Sequence, residues 1–295
     1  LLPIFMFLAL AILLFSGFPV AFVLGGVGLF FGFIGIHFDV FSLVEFFNII
    51  SRIWGGVCEN LILVAIPMFI FMGTMLEKSG VAKDLLYALQ ILLRSVPGGL
   101  ALSVTIMGTI MAATTGIIGA SVVMMTLLAL PVMLERKYDK SLSTGTIAAS
   151  GTLGILIPPS IMLVIMADLL AISVGTLFVA SVFPGLLLAV LYFIYLLLRT
   201  RFNPKLAPPL PDNIGPDNAK EKIKLIFKSF LPPIFLILLV LGSIFAGFAT
   251  PTEAAGVGAL GSILLAILNK RLNYSVMKEV TERSALTGAM IFGIF

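Results

Sequence analysis

The chain has 295 residues, of which 60% are hydrophobic and only 11% are charged, whereas a soluble domain has about 25% charged residues. This composition excludes an ordinary soluble protein. The formal net charge of +4 requires no nucleic-acid partner, because the basic residues lie in loops between apolar stretches. The single cysteine, Cys58, excludes an intrachain disulfide and any metal site built from cysteines, and we expect its side chain to be buried.

Long stretches without Asp, Glu, Lys or Arg follow one another along the chain, and several exceed the roughly 20 residues that cross a bilayer as a helix. None alternates apolar and polar residues in segments of about ten, as a membrane β-barrel would. The pattern predicts an all-α polytopic membrane protein. The uncharged stretches are residues 1–36, 60–76, 95–134, 141–167, 169–198, 229–252 and 254–269.

The first stretch lacks the basic residues and the small-residue cleavage site of a signal peptide, so we interpret it as membrane-spanning. Residues 3–16 and 19–36 are predicted to form an antiparallel pair that turns at SGFP. The sequence starts at Leu1 instead of Met and stops within a new apolar run, TGAMIFGIF. We therefore expect a fragment of a longer protein.

The basic residues predict the orientation of the chain. Residues 95–134 are taken to enter the membrane and return to the same side. The remaining crossings are assigned to residues 60–76, 141–171, 174–198, 231–247 and 253–268. Every Lys and Arg except Arg52 then falls on one face, and such a bias marks the cytoplasmic side. The N-terminus and residues 37–59 are therefore expected to lie outside.

Three segments mix charged and apolar residues at helical spacing, as helices at a membrane interface do. They are either simple connecting helices or arms that brace a moving part against a fixed one. The segments are residues 38–54, 80–94 and 272–283.

A linker is predicted at residues 203–220, NPKLAPPLPDNIGPDNAK, which are too polar and irregular to pack. The following KEKIKLIFK, residues 220–228, is predicted to lie on the inner membrane surface.

Residues 150–160, SGTLGILIPPS, interrupt an apolar stretch with two glycines and two adjacent prolines. The prolines remove two backbone donors and the glycines permit unwinding, so two half-helices joined within the membrane are predicted. Such a break frees carbonyl oxygens for a cation and presents a helix N-terminus to an anion. A packing kink is the alternative. The candidate residues are Ser150, Gly151, Thr152, Gly154, Pro158, Pro159 and Ser160.

A second irregular stretch, MAATTGIIGAS at residues 111–121, lies in the middle of residues 95–134. Two full crossings and a hairpin that dips into the membrane agree equally well with the charge count. The small hydroxylated residues Thr114, Thr115 and Gly116 favour the hairpin, because at its tip they could face the break across a polar cavity.

Four stretches in order resemble the large membrane subunit of the tripartite ATP-independent periplasmic (TRAP) transporters, and the resemblance covers nearly the whole chain. They are SGFPVAFVLGG (16–26), GTLGILIPPS (151–160), SVGTLFVASVFPGLLLA (173–189) and GFATPTEAAGVGAL (247–260). The ADLL at residues 167–170 and the long Pro-rich linker resemble the branch often labelled mannitol or chloroaromatic transport.

The resemblance implies an elevator-type secondary transporter of the bacterial or archaeal inner membrane, built on inverted repeats that each contain a re-entrant hairpin and a broken helix. It implies sodium-coupled import of a small organic acid, with no cofactor other than the coupling ions. The implied partners are a soluble periplasmic binding protein and a small DctQ-like membrane subunit.

By position, the first hairpin tip is Thr114, Thr115 and Gly116, and sodium is expected at Thr114, Thr115, Gly151 and Thr152. Ile117 and Ile118 depart from the small or polar residues usual after the tip in this family. The second hairpin and the second broken helix would lie beyond Phe295.

Four segments follow from these assignments. Residues 1–94 hold scaffold and arm helices with the first transport-domain helix, and 95–171 hold the hairpin and the broken helix. Residues 172–228 hold a spanning helix, the linker and the interfacial helix, and 229–295 begin the incomplete second repeat.

Asp168 is a candidate site residue, because an intramembrane carboxylate is usually functional, although it could also be a solvated cap. Glu253 follows Thr250 in TPTE, where a helix cap is favoured over a ligand site. A catalytic or metal-binding role is not expected for His37. One histidine with Asp168 does not supply an intramembrane enzyme, so no catalytic residues are predicted. A channel, or a secondary transporter without a binding protein, remains the alternative.

Overall fold

The structure is a computed structural model that describes residues 1–115, 118–211, 215–216 and 218–294, without the side chains of residues 112–115, 120 and 219. Within these ranges every regular element is helical, as the uncharged stretches predict. The α-helices are α1 (Leu2–Phe15), α2 (Val20–His37), α3 (Leu43–Ile53), α4 (Ala65–Lys78), α5 (Val81–Leu92), α6 (Gly99–Thr115), α7 (Ile118–Glu135), α8 (Lys140–Leu156), α9 (Ile161–Leu169), α10 (Val174–Phe202), α11 (Ala219–Phe245), α12 (Pro251–Leu268) and α13 (Tyr274–Phe292).

Several helices are long and apolar enough to cross a membrane. By length and composition α2, α10, α11 and α12 qualify singly among the described residues, and α8 with α9 forms a bent pair that adds a fifth span. These helices confirm the prediction of an all-α polytopic membrane protein.

Residues 1–61 and 285–295 form one compact unit. Within it α1 packs against α2, and Gly32 and Gly35 on α2 leave room for the rings of Phe46 and Phe41. The prediction that Cys58 is buried is wrong: its side chain is exposed. It ends a short π-helix, Trp54–Cys58, that contains no buried residue.

Residues 62–284 form the second unit. Its core includes a pair of neighbouring helices, α4 and α12, which end side by side. The amide of Asn269, just after α12, donates to the carbonyl oxygen of Ser79, just after α4, at 3.4 Å. The two helices therefore run in the same direction, in agreement with the crossings assigned to residues 60–76 and 253–268.

The interface helices differ in their packing. On α5, Leu85 and Leu89 are fully buried, and α3 has no buried residue. The first half of α13 contacts the end of α4: Lys78 Nζ lies 2.5 Å from Glu279 Oε1, and Arg283 Nη1 lies 3.3 Å from Glu77 Oε1. In this unit α5 and the start of α13 are packed connecting helices. The bracing of a moving part stays a prediction.

The first part of the Pro-rich linker packs, contrary to the expectation from its composition. Ala207 is fully buried and Leu210 is 6% exposed. The N–H of Gly98 donates to the carbonyl of Ala207 at 3.0 Å, and the N–H of Leu210 donates to that of Arg94 at 3.0 Å. Apolar residues between the prolines bury themselves here, and backbone hydrogen bonds replace the missing secondary structure.

The predicted interfacial helix at residues 220–228 is not a separate element. It is the first part of α11, which continues through Pro232 and Pro233 to Phe245. The basic residues of this stretch therefore belong to the beginning of a spanning helix.

Candidate functional site

The predicted break lies between α8 and α9. Helix α8 ends at Leu156, α9 begins at Ile161, and the two axes are bent by 43°. Residues 158 and 159 are prolines joined by a cis peptide bond. Because neither proline has an N–H, the carbonyl oxygens of Gly154 and Ile155 lack the helical donors four residues ahead. The break therefore carries two oxygens released from the helix pattern.

The glycines do not unwind the helix, which corrects the sequence-based mechanism. Helix α8 continues through Gly151 and Gly154. A Cβ atom on Gly151 would collide with Val122 Cγ2 of α7. Gly151 therefore serves close packing of α8 against α7, and the prolines alone mark the end of α8.

Ser160 is the most distinctive residue of the break. Its side chain is 0% exposed, and among the described residues its Oγ has no hydrogen-bond partner. It occupies the N-cap position of α9, where its hydroxyl caps no backbone N–H. Buried hydroxyl groups nearly always have a partner. The break is therefore followed by a buried hydroxyl that has no partner among the described residues.

The two other hydroxyl residues of the stretch do not face the break. Ser150 Oγ donates to Thr105 Oγ1 on α6 at 3.4 Å, about two turns before the break. Thr152 is exposed, and its hydroxyl donates to the carbonyl of Ala149 at 2.7 Å. The structure thus brings Pro158, Pro159 and Ser160 together, and leaves Ser150 and Thr152 outside the immediate break.

Helices α6 and α7 form the two arms of the predicted hairpin and both pack against α8. Helix α6 runs in the same direction as α8, because Leu100 N–H donates to Tyr138 Oη at 3.2 Å and Thr105 meets Ser150. At 1.5 Å per residue, Thr115 lies about 15 Å and Ile157 about 10 Å beyond the Thr105–Ser150 contact. The end of α6 and the break therefore reach similar depth.

The tip itself is only partly described. Thr114 and Thr115 are the last residues of α6. Their side chains, and all of Gly116, lie outside the described residues. Their predicted role as ligands stays a prediction.

Asp168 lies in the last turn of α9 and is half-buried. It is eight residues from Ser160, about 12 Å along the helix. The structure does not bring its carboxylate to the break.

Thr250 and Glu253 form a reciprocal helix cap. Thr250 N–H donates to Glu253 Oε2 at 2.8 Å, and Glu253 N–H donates to Thr250 Oγ1 at 3.3 Å. This capping box begins α12 and satisfies two backbone donors. The structural interpretation of TPTE is confirmed.

A set of hydrogen bonds at the opposite end of the hairpin was missed by sequence reasoning. Tyr138, which accepts the N–H of Leu100, is buried. Burial raises the pKa of its hydroxyl to about 12, so the hydroxyl stays neutral. Thr200 Oγ1 donates to the carbonyl of Pro97 at 2.9 Å, and Asp139 N–H donates to Leu206 O at 2.8 Å. In the sequence, only the apolar residues within the linker could have suggested that the linker packs against this end of the hairpin.

Among the described residues, His, Cys, Asp and Glu form no group of three or more that could hold a metal ion.

Comparison with known proteins gives a consistent result. Residues 7–295 match the family described as tripartite ATP-independent periplasmic transporter, DctM component. The C4-dicarboxylate TRAP transporter large permease protein DctM of Pseudomonas aeruginosa is 33% identical over 237 residues, 79% of this chain and 54% of that protein.

Two further relatives are named for other compounds. The sialic acid TRAP transporter large permease protein SiaM of Vibrio cholerae is 29% identical over 96% of this chain and 64% of its own length. The isethionate TRAP transporter permease protein DctMQ of Oleidesulfovibrio alaskensis is 31% identical over 78% of this chain and 35% of its own length.

The chain spans about half the length of the curated DctM relatives it matches, with 54% and 47% coverage of two of them. The family match nevertheless extends over nearly all of its residues. The chain belongs to the DctM family, the large permease component of tripartite ATP-independent periplasmic transporters.

Proposed function

We propose that the chain is part of the large permease of a sodium-coupled importer of small organic acids in the inner membrane. The observation that carries this proposal is the buried, unpaired hydroxyl of Ser160 beside the Pro158–Pro159 break. The relatives' names support the substrate class, because dicarboxylates and sialic acid are carboxylic acids and isethionate is a sulfonate.

The proposed sodium site uses oxygens that the helix no longer needs. The carbonyl oxygens of Gly154 and Ile155 have no N–H donor four residues ahead, because residues 158 and 159 are prolines. Ser160 Oγ would add a hydroxyl oxygen. Unwound backbone of this kind binds Na⁺ in broken-helix transporters. Thr114, Thr115, Gly151 and Thr152 remain proposed further ligands, although Gly151 lies within α8 and the hydroxyl of Thr152 is bonded to Ala149.

The substrate is proposed to bind next to this site. The N-terminus of α9 follows the break directly, and its free N–H groups and positive dipole favour a carboxylate. An elevator movement of the hairpin and broken helix would carry both ligands across the membrane. The second hairpin and broken helix of the inverted repeat would complete the site.

The proposed partners are a small membrane subunit and a periplasmic binding protein that delivers the acid. The N-terminus is proposed to be periplasmic, from the charge distribution. The assignment to the mannitol or chloroaromatic branch stays a prediction. A channel is the second candidate, and counterflow of labelled substrate in proteoliposomes distinguishes them, because only a transporter exchanges and concentrates label.

Replacing Pro158 and Pro159 with Ala tests the break directly. A proline inside a helix costs about 3 kcal/mol relative to Ala, so the double variant should join α8 to α9 and remain well expressed and heat-stable. The released carbonyls would return to helical hydrogen bonds. Sodium-driven uptake in proteoliposomes should fall by at least about tenfold, equivalent to about 1.4 kcal/mol.

A matched control exists on α11, where Pro232 and Pro233 are also adjacent but the helix is continuous. The same double Ala change there should leave sodium-driven uptake unaltered. Normal uptake with an unchanged sodium requirement in the Pro158/Pro159 variant would place the ion site elsewhere.

A further inference from the structure

Helix α10 presents a face of small residues to the break. Its buried residues include Ser181, Gly185 and Ala189, which lie four residues apart and therefore share one face. Ala189 packs in one buried cluster with Ile157, the residue that follows α8. Small residues on one face allow the backbones of neighbouring membrane helices to come close. Helix α10 is thus the neighbour that supports the end of α8.

Gly185 meets the main chain of the break itself. A Cβ atom on Gly185 would lie 3.0 Å from Ile157 Cγ1 and 3.1 Å from the carbonyl oxygen of Leu156. Few Cβ atoms in proteins come this close to a neighbour. An alanine here would therefore have to displace the side chain of Ile157 and the carbonyl of Leu156 by a few tenths of an ångström.

The backbone conformation of Gly185 does not explain why this residue is a glycine. Helix α10 is continuous through Pro184 and Gly185, and Gly185 has no positive φ. Glycine inside a helix is less favourable than alanine, so a glycine in such a position usually has a packing or functional reason. At Gly185 the close contact is with the end of α8.

The carbonyl of Leu156 is a third oxygen that the helix pattern leaves without a partner. Pro159 has no N–H, the N–H of Ser160 does not donate to this carbonyl, and no other backbone N–H among the described residues does so. The hydroxyl of Ser181 on α10 donates to Phe178 O at 2.9 Å and not to the break. Helix α10 therefore offers the Leu156 carbonyl the Cα–H of Gly185, a contact that recurs where helices approach closely.

The Leu156 carbonyl is directly linked to the proposed sodium ligands. Around a helix of 3.6 residues per turn, the carbonyls of Ile155 and Gly154 are turned by about 100° and about 200° from that of Leu156. They point to other sides of α8, while the peptide that joins Leu156 to Ile157 lies against α10. Because neighbouring peptides share a Cα atom, a shift of the Leu156 carbonyl also turns the carbonyl of Ile155.

We propose that Gly185 is a positioning residue for the sodium site and that it acts through the Leu156 carbonyl. Gly185 leaves room for this carbonyl beside α10, and the place of the carbonyl sets the orientation of the Ile155 carbonyl toward the ion. This role rests on the proposed function, in which the released carbonyls of the break bind Na⁺. It makes α10 one of the elements that determine sodium affinity.

Gly185→Ala in the intact permease, reconstituted with its partner proteins, tests this role. Uptake in proteoliposomes is measured against sodium concentration, which separates the half-activating concentration from the maximal rate. A misplacement of 1 Å can cost about 100-fold, so a shift of a few tenths of an ångström should raise the half-activating concentration at least about threefold. A loss of folded protein would lower the maximal rate alone. An unchanged half-activating concentration would overturn the proposal.

Gly258→Ala is the matched packing control. Gly258 is also a buried glycine within a helix, α12, and a Cβ there would lie 2.6 Å from Met72 Sδ and 3.0 Å from Val240 Cγ2. Both neighbours are side chains of other helices. The change should lower the unfolding temperature and leave the half-activating sodium concentration unaltered. An equal rise in Gly258→Ala and Gly185→Ala would overturn the proposal, because general loosening would then explain both.

A second variant separates the carbonyl contact from the side-chain contact. Combining Gly185→Ala with Ile157→Ala removes the collision with Ile157 Cγ1 but keeps the contact with Leu156 O. The half-activating sodium concentration should stay at least about threefold above that of Ile157→Ala alone. Recovery to the value of Ile157→Ala would assign the effect to side-chain packing and overturn the proposal. This comparison remains available if Gly185→Ala alone does not fold.

The Pro158→Ala, Pro159→Ala double variant in the same assay distinguishes failure of this role from failure of the proposed function. If the proline variant alters sodium activation and Gly185→Ala does not, the positioning role is overturned and the sodium site at the break stands. If neither variant alters sodium activation, both are overturned.

Discussion

Ser160 and Thr152 are both hydroxyl residues near the break, yet they differ in burial and in hydrogen bonding. Thr152 is exposed and satisfies its hydroxyl on the preceding turn, whereas Ser160 is fully buried with an oxygen that has no partner among the described residues. The sequence alone gave them equal weight, because local spacing does not reveal which hydroxyl can bond to its own helix. Of the two, Ser160 is the residue that we propose as a ligand.

Replacing Ser160 with Ala should therefore weaken sodium activation of uptake by about tenfold, since one cation ligand worth about 1.4 kcal/mol is removed. The unfolding temperature should not fall, because no native hydrogen bond is lost. Ser262→Ala is the control: Ser262 is equally buried, but its hydroxyl donates to Ala259 O at 2.7 Å, and sodium activation should be unchanged. Wild-type sodium activation in Ser160→Ala would contradict the assignment.

Two adjacent prolines separate α8 from α9, whereas α11 continues through Pro232 and Pro233 without a break. In α11 the carbonyls that lose their donors belong to Lys228 and Ser229, next to the basic start of the helix. Near a membrane surface, water and lipid headgroups can satisfy such oxygens, which is not possible deep in hydrocarbon. A Pro-Pro pair therefore predicts lost hydrogen bonds, and the surroundings of the helix decide whether it breaks.

Gly151 of α8 allows close packing against α7. Gly151→Ala would push a methyl group into Val122 and should lower the free energy of unfolding by about 1–3 kcal/mol. Gly145→Ala on the same helix meets open space and should be neutral or stabilising by up to about 1 kcal/mol. Thermal unfolding in detergent measures both. Combining Gly151→Ala with Val122→Ala should recover most of the loss, and a failure to recover would remove this contact as the cause.

At the scale of the whole molecule, the basic residues other than Arg52 are assigned to one side by the charge count. The parallel arrangement of α4 and α12 agrees with the membrane crossings from which that side was assigned. The beginning of α6 lies beside the ends of α7 and α10, which also agrees with those crossings. These contacts relate the directions of the helices to each other. The choice of membrane side rests on the charges.

A cysteine at Asn213, a residue outside the described ranges, tests this orientation. In a Cys58→Ser background, Asn213→Cys should react only with thiol reagents that reach the cytoplasm. The native Cys58, which is exposed, should react from the periplasmic side in the unmodified chain. Labelling of Asn213→Cys by an impermeant reagent added outside intact cells would overturn the topology.

The sequence by itself determined the helical class and the place of the break, but it divided α11 into two helices. Apolar length fixes a spanning helix, and proline chemistry removes backbone donors wherever it occurs. The sequence also predicted the Thr250–Glu253 cap, because a capping box joins residues only three positions apart. The four motifs identified the family for the same reason, since each is a contiguous stretch that can be recognised without knowing its contacts.

Tertiary structure decided what depends on residues far apart in the chain. The role of Gly151 depends on Val122, the docking of the linker depends on Arg94 and Gly98, and the unpaired hydroxyls of Ser160 and Thr146 depend on which neighbours surround them. Whether a buried oxygen has a hydrogen-bond partner depends on residues from several helices. The order of residues along the chain does not show which of them become neighbours.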